Sequence, residues 1–145
     1  MKKIKPLINY KNFFSLKNKN IIIFGGAGKL GQSFSLSLLS AGAKIFILDQ
    51  NLPKKLNKKI KYIKCDVTSK SSVSECFKLI LKKVKKIDTI IYNVYSKPVN
   101  YYKSFEDYDF KTWQEALTTN LSGAFLVCQR AIDHFKKKKF MEILF

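Results

Sequence analysis

The chain has 145 residues, of which 46% are hydrophobic, and carries 28 Lys plus Arg against 10 Asp plus Glu, a formal net charge of +18. That length supports one domain with a real core rather than two, and that hydrophobic content excludes a disordered chain. No run approaches the ~18 consecutive apolar residues of a membrane-spanning helix, and no apolar signal core follows the basic start Met1-Lys2-Lys3, so a cytoplasmic location without membrane partners is expected.

The charge invites a nucleic-acid reading, which the residue types oppose. Arg130 is the single arginine, and the lysines are spread along the whole chain. Bidentate base and phosphate recognition favours arginine. A solvated basic surface is therefore expected, with no nucleic-acid partner. Cys65, Cys76 and Cys128 show no CxxC or Cys/His metal spacing, which predicts buried, reduced thiols and no metal.

Residues 1–19 read as an irregular lead-in from which Phe13, Phe14 and Leu16 can pack onto a following domain, residues 20–145. Asn20 to Phe24 is a short apolar strand. Leu30, Phe34, Leu38 and Ala41 recur at helical spacing, and Gly42 closes the segment as a C-cap glycine would. Lys44 to Leu48 is a second strand ending at Asp49. A polar stretch over 50–59 leads to a third strand, Lys61 to Cys65.

Val73, Cys76, Phe77, Ile80 and Val84 form one helix face, with Ser69 or Ser71 as N-cap. Asp88 to Tyr92 is a fourth strand, and 93–108 is a long aromatic loop. Asp109 caps a long helix whose apolar stripe reads Phe110, Trp113, Leu117, Asn120, Leu121, Ala124, Cys128, Ala131 and Phe135. His134, near its lysine-rich end, reads as a surface residue. Met141 to Phe145 is a fifth strand. Apolar strands that do not alternate, interleaved with helices, predict an α/β fold: a doubly wound, Rossmann-type parallel sheet covered on both faces.

Four of the six glycines fall together, at Gly25, Gly26, Gly28 and Gly31, directly between the first strand and the first helix. In a doubly wound sheet that turn lies at the carboxyl edge, where ligands bind. Missing Cβ atoms let a phosphate reach the backbone, and the helix N-terminus offers it N–H groups and a favourable dipole. Gly31 lets helix and strand pack closely. Asp49 follows Gly31 by 18 residues, close to the ~20 expected of the acid that binds the adenine ribose. The pattern therefore reads as a dinucleotide site. An acid at that place favours NAD over NADP, whereas Lys29 attracts an extra phosphate, and NADP stays open.

The landmarks "GGAGKLG" (25–31), Asp49, "CDVTSKSSV" (65–73), "IDTIIYNVYS" (87–96) and "WQEALTTNLSGAFLVCQRAI" (113–132) resemble the short-chain dehydrogenase/reductase family over roughly residues 15–145. The resemblance implies an NAD(P)-dependent oxidoreductase that moves a hydride between the nicotinamide and a small alcohol or carbonyl substrate. It implies a pyrophosphate on Gly25, Gly28 and Gly31, with Gly26, Ala27 and Lys29 completing the loop. Leu30 would lie toward the nicotinamide, Asp49 would hold the ribose, and Asp66 and Val67 would meet the adenine. Asn93 matches the loop after the fourth strand, and Asn120 matches the Asn of the catalytic tetrad.

Phe24, Lys29, Val94 and Tyr95 depart from the family pattern, the last two replacing small residues. The G-x-x-G-x-x-G spacing recurs in extended, epimerase- or dehydratase-like members. None of the seven tyrosines has a Lys four residues later, so the catalytic Tyr-x-x-x-Lys pair and its Ser are not found. The sequence is read as a cofactor-binding portion, truncated after about the fifth strand and inactive alone. The bare last strand predicts association, as a homo-oligomer or with a complementing chain. A non-catalytic NAD-binding module is the alternative.

Overall fold

A computed structural model describes residues 14–53, 57–136 and 143–144. Strands β1 (Asn20–Phe24), β2 (Lys44–Asp49), β3 (Lys61–Lys64), β4 (Thr89–Tyr92) and β5 (Ile143–Leu144) form one sheet in the order β3-β2-β1-β4-β5. Every pairing is parallel. Helices α1 (Lys29–Ser40), α2 (Lys70–Leu81), α3 (Phe110–Leu117) and α4 (Gly123–Lys136) supply the crossovers. A π turn over Thr118–Ser122 joins α3 to α4.

The continuous apolar strands follow from cover on both faces. Ile22, Phe24, Phe46 and Leu48 pack on one side with Val73, Phe77, Ile80, Val127 and Ala131. Ile21, Ile23, Ile45 and Ile47 pack on the other with Ala43 and Ile60, joined by Leu16 and Leu38. Of the lead-in residues, Leu16 packs on this second layer and Phe14 is exposed; Phe13 lies outside the described residues, as do Met141 and Phe145.

Caps formed where the sequence placed them. Ser69 Oγ accepts the Ser72 N–H at 3.3 Å, and Asp109 Oδ1 accepts the Thr112 N–H at 2.9 Å. Gly42, at φ +99°, ends α1, donating its N–H to the Leu39 carbonyl.

Three expectations are corrected. The inward face of α1 is not the Leu30–Phe34 stripe, since both residues are exposed. Gly31 and Ser35 are buried instead. The helix lies so close to the glycine loop that only small side chains fit, and Ser35 satisfies its buried hydroxyl by donating to the Gly31 carbonyl at 2.7 Å.

The helix over 110–136 keeps the expected stripe at its end, where Ala131 and Phe135 are buried, and is turned from it before that. Thr112, Ala116, Gly123, Val127 and Ala131 face the core, while Phe110, Trp113, Leu117 and Leu121 are exposed. Small residues again mark the closest approach: a Cβ on Gly123 would stand 2.7 Å from the Tyr92 hydroxyl and 2.8 Å from Val67 Cγ2.

The third correction concerns His134, which is 6% exposed. Its Nε2 accepts the Ile87 N–H at 3.2 Å, so a buried backbone donor, invisible in the local sequence, keeps it inside.

Candidate functional site

Strand register sets the site. Phe24 of β1 pairs with Leu48 of β2 and with Tyr92 of β4, so the three strands end level. Gly25, Asp49 and Asn93 therefore emerge side by side. The chain moves from β1 to β2 on one flank and returns to β4 on the other, so this carboxyl edge is a topological switch point. A groove of about 600 Å³ opens there, lined among others by Gly25, Gly28, Lys29, Leu30, Asp49, Val67 and Asn93.

Each glycine meets a different demand. Gly25 sits at φ +72°, and a Cβ there would lie 2.5 Å from the Asn93 carbonyl oxygen. A Cβ on Gly26 would lie 2.5 Å from Ile47 Cβ, and one on Gly31 2.3 Å from the Gly25 carbonyl oxygen. These three let loop, helix and sheet touch. At Gly28 a Cβ would find only the Gly25 carbonyl oxygen, 3.6 Å away. The protein's own packing does not require glycine there, and Gly28 faces the groove.

Gly28 is also the N-cap of α1 and brings no side chain to cap it, so the first N–H groups of the helix point outward without intrahelical partners. Phe24, fully buried beneath the loop, does not enter the groove.

Asp49 ties the loop to β2. Its Oδ2 accepts the Ala27 N–H at 3.0 Å and its Oδ1 the Asn51 N–H at 3.0 Å. Gln32 Nε2 donates to the Ala27 carbonyl at 2.7 Å, bracing the loop from α1. Asn93 continues the β4 ladder by donating its N–H to the Phe24 carbonyl at 2.9 Å. Its Nδ2 donates to the Gly25 carbonyl at 3.1 Å.

The structure does not bring all the predicted residues to the groove wall. Gly26, Ala27 and Gly31 do not line it: Gly26 packs on Ile47, Gly31 on the Gly25 carbonyl, and Ala27 bonds Asp49. Asp66 Oδ1 accepts from the Thr68 hydroxyl and N–H at 2.7 and 2.9 Å, and those bonds hold its carboxyl below the usual range. Asn120 lies in the π turn with both ends of its amide engaged: Oδ1 accepts the Ser96 N–H at 2.7 Å and Nδ2 donates to the Ser96 carbonyl at 3.1 Å.

Gln50, Ser96, Lys97 and Thr119 also line the groove and were not singled out in the sequence. For Ser96 and Lys97 the available signal was the aromatic loop itself. Val94 turns inward onto the core, while Tyr95 is exposed and donates to the Tyr101 hydroxyl at 2.6 Å, a bond that pushes Tyr95 up to about 12. The Lys97 ammonium bonds the Tyr102 hydroxyl and lies 5.3 Å from the Tyr95 ring centre. Hydrogen bonding to Cys76 and burial raise the Cys65 thiol, so it remains a protonated part of the groove wall. Among the described residues, no cluster of His, Cys, Asp or Glu could hold a metal ion, and no helix is long and apolar enough to cross a membrane.

The family model for short chain dehydrogenases matches residues 19–145. An uncharacterized oxidoreductase of Schizosaccharomyces pombe is 30% identical over 149 aligned residues, covering 93% of this chain and 56% of its own. A short chain dehydrogenase from Leptospira borgpetersenii, solved with NAD+ bound, superposes with a TM-score of 0.77 at 25% identity over 93% of this chain and 52% of its own. A short-chain type dehydrogenase/reductase from Mycobacterium marinum superposes with a TM-score of 0.81 at 20% identity, covering 94% and 58%. The chain spans about half the length of the curated relatives it matches. On the family match and the shared fold, this chain belongs to the short-chain dehydrogenase/reductase family.

Proposed function

We propose that the groove binds a nicotinamide dinucleotide, NAD in preference to NADP, and that residues 20–145 are the cofactor-binding domain of an oxidoreductase acting on a small alcohol or carbonyl substrate. The observation that carries this reading is Gly28. It is a side-chain-free helix start that the protein's own packing does not demand, level with a carboxylate at the end of the neighbouring strand. A bound dinucleotide supplies the hydride acceptor or donor.

The chain's residues bind and orient it. The N–H groups at Gly28, Lys29 and Leu30 face a pyrophosphate. Asp49 offers the ribose hydroxyls the lone pairs left by its two backbone bonds. Val67 gives the base an apolar wall, with Asp66 beside it. Asn93 holds the loop after β4 against Gly25, and Asn120 holds Ser96. Lys29 and Asp49 line the same groove, and the acid disfavours a 2′-phosphate.

No tyrosine here is followed by Lys at the fourth position, so we propose that this chain binds cofactor without turnover. The same fact favours, as a second reading, a non-catalytic dinucleotide-binding module. A cytoplasmic location and association through the sheet edge belong to the first reading. Calorimetric titration of the full chain with NAD+ and NADP+ tests the binding: saturable binding with NAD+ tighter is expected, and no binding of either overturns it. Measurable oxidation of simple alcohols by the chain alone would overturn the lack of turnover.

A further inference from the structure

The end of β4 touches the π turn at one hydrogen bond. The Tyr92 hydroxyl donates to the Thr119 carbonyl at 2.8 Å. That carbonyl lies inside a turn whose closing bond runs from the Gly123 N–H to the Thr118 carbonyl, so the regular helical ladder is interrupted there. The next residue, Asn120, reaches across with both halves of its amide to the backbone of Ser96. Ser96 and Thr119 both line the groove.

Gly123 makes room for the arrangement, since a Cβ would stand 2.7 Å from the Tyr92 hydroxyl. Burial pushes Tyr92 up to about 12, so the hydroxyl remains a donor at every physiological pH. The phenol ring is held separately, packed on Phe24 with ring centres 6.3 Å apart.

We propose that Tyr92 is a positioning residue: its hydroxyl fixes the π turn at Thr119, and the turn so fixed holds Asn120 on Ser96 and thereby sets the far wall of the groove. Tyr92 touches neither Ser96 nor the glycine loop through that hydroxyl, so its influence on Ser96 passes through the π turn and Asn120.

Tyr92→Phe keeps the ring and removes only the donor. In the full chain, without ligand, the Ser96 amide is expected to exchange its proton about five-fold faster or more, the loss of one hydrogen bond. The Ile22 and Phe46 amides of the sheet keep their wild-type rates. A merely structural role would move all three together. Affinity for NAD+ should weaken by about five-fold, and Tyr92→Phe added to Asn120→Ala should weaken it no further than Asn120→Ala alone.

Gly123→Ala, which crowds the same hydroxyl, should reproduce the Ser96 signature, and it decides the question if Tyr92→Phe does not fold. A wild-type exchange rate at Ser96 in the folded variant, or effects of Tyr92→Phe and Asn120→Ala that multiply independently, would overturn the proposal. The affinity arm rests on the cofactor reading, whereas the exchange arm does not. A wild-type chain that binds no NAD+ therefore removes that reading and leaves Ser96 exchange to decide Tyr92.

Discussion

Two glycines at the start of α1 should respond in different ways to the same added methyl group. A Cβ on Gly31 would lie 2.3 Å from the Gly25 carbonyl oxygen, 2.6 Å from Gly26 Cα and 2.9 Å from Gly26 carbonyl carbon. All three are backbone atoms, so no rotamer change relieves the overlap, and α1 must retreat from the loop. Overpacking of this kind costs about 1–3 kcal/mol, and the rigid neighbours put it at the upper end. The gain in helix propensity returns at most about 1 kcal/mol. The net expectation for Gly31→Ala is a loss of about 2 kcal/mol, or roughly 6–10 °C in Tm for a chain of this size. At Gly28 the nearest atom would be 3.6 Å away and the backbone is ordinary extended chain, φ −68° and ψ 167°. Gly28→Ala should therefore change stability by less than about 1 kcal/mol. Its methyl group projects toward the groove and should weaken dinucleotide binding about ten-fold or more. Urea unfolding and calorimetry on both variants separate the two roles. Wild-type affinity in Gly28→Ala, or wild-type stability in Gly31→Ala, would refute the reasoning.

Asp49→Ala should weaken NAD+ binding and narrow the preference against NADP+, since the carboxylate that repels a 2′-phosphate is gone; competitive titration with the two cofactors measures this, and an unchanged ratio contradicts the assigned role. His134→Leu should cost about 1–3 kcal/mol, because the buried Ile87 N–H loses its acceptor, read as a lowered urea midpoint. Stability should fall in acid. Against the upward push of burial, a hydrogen bond from Lys86, the Asn20 N–H and the charges of Lys86 and Lys19 hold Asp88 below the usual carboxylate range, and the Thr112 N–H and hydroxyl hold Asp109 at about 2. Depressed folded values mean that the contribution is complete above the unfolded value of about 4 and is lost as pH falls through the folded values. Urea midpoints between pH 7 and 2 should fall mainly below about pH 4, and Asp88→Asn should flatten that fall.

Much of the site was legible because strand ends are legible. Four apolar residues in a row, then glycines, then a helical period, locate the end of β1. An acid after the next apolar run and an Asn after the fourth locate the ends of β2 and β4. Parallel register then places Gly25, Asp49 and Asn93 together without further information. Asn120 stood out as a polar residue on an expected apolar stripe, yet its partner proved to be the backbone of a loop residue 24 positions earlier, which no local pattern announces. Ser96 and Thr119 line the groove on either side of that contact.

Local chemistry in the chain determined the strands, the caps at Ser69 and Asp109, and the glycine turn, since each depends on neighbours a few residues away. The inward faces of α1 and of the helices after Asp109 were decided by tertiary structure. Hydrophobic spacing points Leu30, Phe34 and Trp113 inward, but close approach leaves no room for a side chain at Gly31, which meets loop backbone, or at Gly123, which meets Tyr92 and Val67. His134 was placed by the same kind of demand, a buried N–H on another element that needed an acceptor. Periodicity records which residues are apolar; the gap between packed layers, a distance no single segment contains, selects which of them fit.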